Sequence, residues 1–349
     1  MKFVFFTKGG MDIASSRCRA FHLSDYLNKK GLKSVVFPQS SILISKANWT
    51  QKPFLIISMF FGLFKIIKKN DVLYLQRPIY NKFYFSLLLF YIIFFKKIRN
   101  NKVIFDIDDA IFLHSKRKTL LLVKVSDFIF AGSRYIEKWL KKYSNNCYLV
   151  PTVVDFDRYN SFAIKKDKDN DRFTIGWVGN GLAHVENLEI LVPVFRKIVN
   201  MGIKIKFILV GAFEQMSVRD SFMSIDGLEY VEFDWISEDD SFRRISMFDL
   251  GVMPLVNNKW NQGKCSFKVI EYMACEIPTI ASNVGENKYL IKDGFNGFLV
   301  NNENDWVNKI IKIYSDKKLA RKIGLAGAET IKNKYSLDFV YKKIINIID

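Results

Sequence analysis

Short apolar runs separated by stretches of helical spacing set the framework of this chain. In the first half KFVFFT, KSVVFP, VLYLQR, KVIFDI, DFIFAGS and CYLVP read as strands. They are apolar on both faces, as strands covered by helices on either side must be. Ser16 to Lys30, Phe83 to Phe95 and a stretch ending near Tyr143 read as helices between them. Such alternation predicts a parallel, doubly wound sheet.

Around KKDKDNDR, Lys165 to Arg172, no apolar residue occurs, and a linker is expected there. The pattern then restarts. FTIGWVG, IKFILVG, LEYVEFD, DLGVMP and PTIAS read as strands, with helices from about Glu186 to Met201 and from Asp239 to Ser246. From Asp305 the chain is helical. The expected fold class is therefore α/β, with two Rossmann-like domains, 1–165 and 172–334, facing each other across a cleft. The amphipathic stretch at about 335–349 is expected to pack back on the first domain. In such sheets the loops at the carboxyl ends of the strands carry the ligand.

A chain of 349 residues suits two domains of roughly 150 each. The hydrophobic fraction, 49%, is ample for two buried sheets. Charge is unevenly spread: residues 1–165 hold 28 Lys and Arg against 10 Asp and Glu, while residues 166–349 hold 25 of each. The basic surplus of the first half suits an anionic partner. Cys18, Cys147, Cys265 and Cys275 lack metal-ligand spacing and read as reduced thiols of a cytoplasmic protein. MKFVFFTKGG goes straight into a glycine turn and is not the signal-peptide pattern. No segment supplies the ~20 uninterrupted apolar residues of a membrane-spanning helix.

The densest chemistry lies in GKCSFKVIEYMACEIPTIAS, Gly263 to Ser282. Ser266 is a good N-cap, and FKVIEYMAC reads as a short helix stopped before Pro278. Lys268 and Glu271 are three apart on it, and Lys264 precedes its first turn. Two ammonium groups and a helix N-terminus suit a diphosphate, and a carboxylate one turn deeper suits sugar hydroxyls. A solvated surface helix is the plain alternative.

In GWVGNGLAHVENL, Gly179, Asn180 and Gly181 form a turn after a strand, where a backbone approaches phosphate closely. Its counterpart in the first half is TKGGMDIASSRCRAF: Gly9 and Gly10, then Arg17 and Arg19 at the opening of a helix, which suit bidentate contact with phosphate or carboxylate, ordinary solvated arginines being the plain alternative. DIDDA carries three carboxylates in four positions. Metal binding and N-cap use are both open, and Asp108 or Asp109 is favoured as an acceptor-orienting group. Lys82 to Lys102 holds an apolar run followed by Lys96, Lys97, Arg99 and Lys102. It is either a buried sheet-covering helix or an element lying in a membrane plane with those cations on anionic lipid; the aromatic run Pro53 to Lys69 adds to the second reading. The aromatics are not interleaved with basic residues, which disfavours nucleic acid.

Taken in order, SDFIFAGSRYIEKWL, YLVPTVVD, GWVGN, FILVG, DLGVMPL and GKCSFKVIEYMACEIPTIASNVGENKYLIKDGFNGFLV, Gly263 to Val300, resemble the retaining glycosyltransferases of family 4, group-1 glycosyltransferases of GT-B architecture. The resemblance covers nearly the whole chain. It implies transfer of a sugar from a nucleotide-diphosphate donor with retention of configuration and no obligatory metal or other cofactor. It puts Lys264 and Lys268 near the diphosphate and makes Glu271 the second glutamate of the family's Glu-x7-Glu motif, on the donor ribose. Gly179, Asn180 and Gly181 would border the phosphates and Trp235 the nucleobase. Read together with the residues themselves, Asp108 and the two lysines would serve catalysis, and Gly10, Arg17, Arg19 and Asp109 would lie on the acceptor or phosphate side. The sequence departs from the family at Gly263, where the first glutamate is expected, and at Asp108, where many relatives carry histidine. A subgroup with DIDD and GKCxxK shares both features. The expected acceptor is a glycan or a lipid-diphosphate-linked sugar of a cell-surface polysaccharide, met at the inner face of the membrane. The alternative is a catalytically inactive protein that binds sugar nucleotides.

Overall fold

The computed structural model describes residues 1–38, 48, 50–78, 82–163, 172–211 and 216–349. The chain forms two compact units, one of Met1–Val153, Gly263–Cys265 and Leu337–Asp349, the other of Val154–Gln262 and Ser266–Ser336. Of the expected linker only Arg172 lies within the described residues.

In the first unit the strands β1 (Lys2–Thr7), β2 (Lys33–Pro38), β3 (Val72–Gln76), β4 (Lys102–Ile107), β5 (Phe128–Ala131) and β6 (Cys147–Leu149) form a parallel sheet in the order β2-β1-β3-β4-β5-β6. The order reverses between β1 and β3, opening a crevice at their carboxyl ends. β3 is buried throughout, whereas the edge strand β2 is half-buried and starts and ends on exposed Lys33 and Pro38; both residues suit an edge. Leu337, Val340, Ile344 and Ile348 of the helix Leu337–Ile348 join the cluster of Phe3, Phe5, Leu23, Leu27 and Tyr74. Each such buried aliphatic contributes roughly 1.5–3 kcal/mol. Tyr26 donates to Asp338 at 2.9 Å beside them.

Three helical segments depart from the sequence pattern. The first helix starts earlier than Ser16, at Ala14, and passes through a π-helical turn, Arg17–Phe21, before continuing as His22–Lys29. Gln51–Ile66 is a helix so evenly apolar that no stripe reveals it. Phe112–Val125 begins with polar HSKRK and leaves helical geometry at Ser115.

The second unit contains β7 (Phe173–Val178), β8 (Ile205–Val210), β9 (Glu229–Phe233), β10 (Leu250–Met253), β11 (Thr279–Ser282) and β12 (Phe298–Val300), all parallel, in the order β12-β11-β10-β7-β8-β9. Its reversal lies between β7 and β10. Gly176 and Gly251 sit under the Phe248 and Tyr272 side chains, which occupy the space a Cβ would need. Asn302 and Asp316 cap the helices that follow them, accepting from Asp305 and Leu319 N–H groups at 2.9 Å; such caps contribute about 1 kcal/mol each. The helix Met216–Met223 escapes sequence reading because only Val218 and Phe222 of it are buried.

Candidate functional site

In the second unit the turn after β7 and the helix Phe267–Ala274 meet at the reversal point. Gly179 has φ +149, and a Cβ on it would lie 2.5 Å from Lys268 Cε and 2.9 Å from its Nζ. The missing side chain is thus what admits the Lys268 stem. Its Nζ stands 4.9 Å from the centre of the buried Trp177 ring, a cation–π distance, and 3.3 Å from His184 Nε2. His184 lies edge-on to Trp177 at 5.3 Å.

The segment after Gly179 departs from the expected helix. Gly181–His184 is a 3-10 turn, and the exposed Asn180 accepts from Ala183 N–H at 3.4 Å to open it. Val185–Glu189 and Leu191–Asn200 follow as separate helices.

Glu271 is buried, with 5% exposure, and accepts from the Tyr159 hydroxyl at 3.1 Å. Ser266 does not cap its helix. It adopts a left-handed conformation, φ +59, and its hydroxyl donates to Asn287 at 2.6 Å. A non-glycine residue there costs on the order of 1–3 kcal/mol. The buried hydroxyl–amide contact holds it, together with Gly285, whose missing Cβ lets the loop approach the Asn261 and Gln262 carbonyls. Trp235 is half-buried in the loop after β9. That loop leaves the sheet two strands, roughly 10 Å, from β7.

The first unit uses its charges differently. Arg19, expected on a ligand, is buried and donates to both Asp106 oxygens, through Nε at 2.8 Å, and to Thr152 and the Val150 carbonyl at 3.1 and 2.9 Å. Burial alone would lower its pKa, but the Asp106 carboxylate holds it well above the usual value. Arg17 is also buried and donates to the Met11 carbonyl at 2.9 Å, so it braces the loop after β1. Gly10 lies in that loop and accepts from Ile13 N–H at 3.2 Å.

Arg77, which sequence reasoning passed over, follows β3 with φ +63 and grips both Asp108 oxygens, one at 2.9 Å, and Asp109 at 2.7 Å. Burial pushes the Asp108 carboxyl up, and Arg77 more than reverses this, holding it below the usual range. The expected acceptor-orienting carboxylates are thus brought together, by an arginine. The only signal in the sequence was its place after a strand and before a proline.

Gly263–Cys265 belongs to this unit. A Cβ on Gly263 would lie 2.5 Å from the Ala110 Cβ. Ser133 donates to the Gly263 carbonyl at 3.1 Å, and the Cys265 thiol donates to the Asp108 carbonyl. Burial pushes the Cys265 pKa up, so the thiol stays protonated. Any side chain at 263 would displace Ala110. Lys264, between them, is partly exposed.

The apolar helices of this unit also diverge from expectation. Gln51–Ile66 and Lys82–Phe95 pack through Phe64 against Tyr91 and Phe95. Phe54, Ile57 and Phe61 on one, and Phe90, Ile93 and Phe94 on the other, are exposed in stripes of helical spacing. Three of the four cations expected on lipid have protein partners: Lys96 with Asp127 at 2.5 Å, Arg99 with the Phe64 and Ile67 carbonyls, and Lys102 with the Ile348 carbonyl. Lys97 and Lys65 are exposed beside the stripes. Among the described residues no helix is long and apolar enough to cross a membrane.

This architecture has known counterparts. Residues 172–316 match the family model described as Glycosyl transferases group 1. The chain is 26% identical over 181 residues to the capsular polysaccharide biosynthesis glycosyltransferase CapM of Staphylococcus aureus, covering 50% of this chain and 45% of that protein. It is 24% identical over 222 residues to the uncharacterized glycosyltransferase MJ1178 of Methanocaldococcus jannaschii, covering 63% and 57%. The chain spans about half the length of these curated relatives. The crystal structure of Anabaena Alr3699/HepE in complex with UDP aligns with a TM-score of 0.70 at 15% identity, covering 100% of this chain and 99% of that one. The fold is that of the GT-B glycosyltransferases.

Proposed function

We propose that this protein is a retaining glycosyltransferase of family 4 that moves a sugar from a nucleotide-diphosphate donor to a glycan or lipid-linked acceptor. The observation that carries this reading is the Gly179–Lys268–Trp177 cradle, a cation seated on a π face where glycine admits it, at the carboxyl-edge reversal of the second sheet. Lys268, with Lys264, would stabilise the charge growing on the departing diphosphate, an effect that needs no bound metal or other cofactor in this reading. Asp108, kept ionised by Arg77, would orient the acceptor hydroxyl for attack on the face the diphosphate leaves. No enzyme nucleophile takes part.

The UDP in the HepE complex supports a nucleotide-diphosphate ligand. The name of CapM supports a cell-surface polysaccharide as the product. The exposed aromatic stripes and the basic surplus of residues 1–165 support work at the inner face of an anionic membrane. We expect Lys268→Ala to lower turnover of a UDP-sugar roughly 10²–10³-fold with an unchanged melting temperature. A kcat/KM equal to that of the unaltered protein would refute the site.

A second reading, a sugar-nucleotide-binding protein without turnover, has Gly263 behind it, since Ala110 fills the space of the family's first carboxylate. UDP-sugar binding by calorimetry with neither transfer nor donor hydrolysis would establish it.

A further inference from the structure

The crevice of the second sheet opens where β7 and β10 part. Their registered pairs are Ile175–Leu250 and Gly176–Gly251, whereas β7 stays paired with β8 as far as Val178–Val210. Successive N–H groups of a strand turn to opposite neighbours. The Gly179 N–H donates to the Val210 carbonyl on β8 at 2.9 Å, so the Val178 N–H before it faces the side that β10 has left. A buried N–H without an acceptor there would be costly. The Tyr272 hydroxyl takes it, at 3.0 Å. Burial pushes the Tyr272 pKa well above the usual value, so the acceptor is the neutral hydroxyl.

A glycine lets the ring reach that far. Tyr272 lies on the helix Phe267–Ala274, and a Cβ on Gly251 of β10 would stand 2.5 Å from its Cδ2 and 2.6 Å from its Cγ. The ring therefore crosses β10 at Gly251, and its hydroxyl ends on β7. Phe248 supports it edge-on at 6.0 Å. Lys268 stands four residues before Tyr272, on the same side of the helix, and its stem lies against Gly179. One helix thus holds two consecutive residues of the turn, Val178 by a hydrogen bond and Gly179 by packing. The backbone beside β8 holds the turn from the other side, since the Gly181 N–H donates to the Gly211 carbonyl at 2.9 Å.

We propose that Tyr272 is a positioning residue of the anion site: its hydroxyl ties the Val178–Gly179 turn to the helix that carries Lys268, and so sets where the Lys268 ammonium stands relative to a phosphoryl group at that turn. β10 offers the turn no support, because its pairing with β7 ends two residues earlier. Without the hydroxyl the Val178 peptide loses its acceptor, and the turn and the ammonium no longer keep one spacing. This inference rests on the Lys268 reading above and can fail separately from it.

A double-mutant cycle on the full chain tests it, with UDP as the probe in calorimetry. Tyr272→Phe keeps the ring over Gly251 and removes only the acceptor. It should weaken UDP roughly fivefold in the otherwise unaltered protein and less than about twofold in Lys268→Ala, because the tyrosine acts through that lysine. A purely structural role would lower the melting temperature and cost the same affinity in both backgrounds. Equal losses in the two backgrounds overturn the proposal, as does a Tyr272→Phe variant that binds UDP as tightly as the unaltered protein. Loss of UDP affinity in Lys268→Ala with none in Tyr272→Phe sinks the tyrosine alone; unchanged affinity in Lys268→Ala sinks the anion site with it. Where a variant fails to fold, or the double variant binds too weakly to measure, the unaltered protein decides. Coupling between two sites is reciprocal, so UDP should slow hydrogen exchange of the Val178 amide in NMR. An exchange rate that saturating UDP leaves unchanged overturns the proposal.

Discussion

Each unit has a six-stranded parallel sheet with one reversal point, yet the cations there are held differently. In the first, Arg19 and Arg77 are gripped by Asp106, Asp108 and Asp109. In the second, Lys268 rests on an indole face beside the His184 ring. A cation gripped by a buried carboxylate offers little field to a ligand, and a cation–π contact does not by itself cancel the charge it holds. The anion site proposed here thus lies in the half of the chain with no net charge. The basic surplus of the first half lies elsewhere than its reversal point, and sequence-wide charge is a poor guide to where an anion binds.

This contrast can be broken experimentally, beginning with the largest effect. Arg19→Met leaves Asp106 buried without its partner and should destabilise the first unit by about 3–5 kcal/mol in urea unfolding. A loss below about 1 kcal/mol would mean that Asp106 was never dependent on it. Gly179→Val forces a branched side chain into the Lys268 stem at a positive φ, and UDP affinity should fall roughly 10- to 100-fold by calorimetry. Unchanged affinity would detach Lys268 from the ligand.

A third test uses pH. The folded Asp108 carboxyl lies below its unfolded value, so its stabilisation is present above about pH 4 and is lost as pH falls further. In Arg77→Leu the main influence that lowers the pKa is gone while burial, which raises it, remains, so the slope should flatten or reverse. Urea midpoints between pH 3.5 and 6 should show the two proteins converging as pH falls, by roughly 1 kcal/mol. Parallel curves would show that Arg77 does not control the carboxyl. The smallest effect concerns the stripes. Phe61→Ser with Phe94→Ser should weaken sedimentation with anionic phospholipid vesicles roughly fivefold, about 1 kcal/mol of partial burial. Equal sedimentation would remove these helices from any membrane contact.

Much of this architecture was legible from pattern. β-branched and aromatic runs marked the strands because a doubly covered sheet leaves no polar face to confuse the signal. Gly179 and Lys268 were both visible, but their contact was not, since 89 positions separate them and only the reversal between β7 and β10 joins them. Arg17 and Arg19 misled. Arginines near a helix start look alike whether a ligand or a carboxylate on a distant strand takes them, and the π-helical turn that turns them inward has no sequence mark. Ser266 misled for a similar reason: its hydroxyl found Asn287 before it could cap. His184 went unnoticed because its place beside Lys268 and Trp177 depends on tertiary packing.

The helix Leu337–Ile348 belongs to the first core but follows the whole second unit in the chain. During synthesis, residues 1–153 must therefore wait with Phe3, Phe5 and Tyr74 incompletely covered until 337–348 emerge. The second unit's two segments, apart from the Gly263–Cys265 excursion, can consolidate meanwhile. The part of the protein made first is then the last to close, and it is the part with the greatest need of a chaperone.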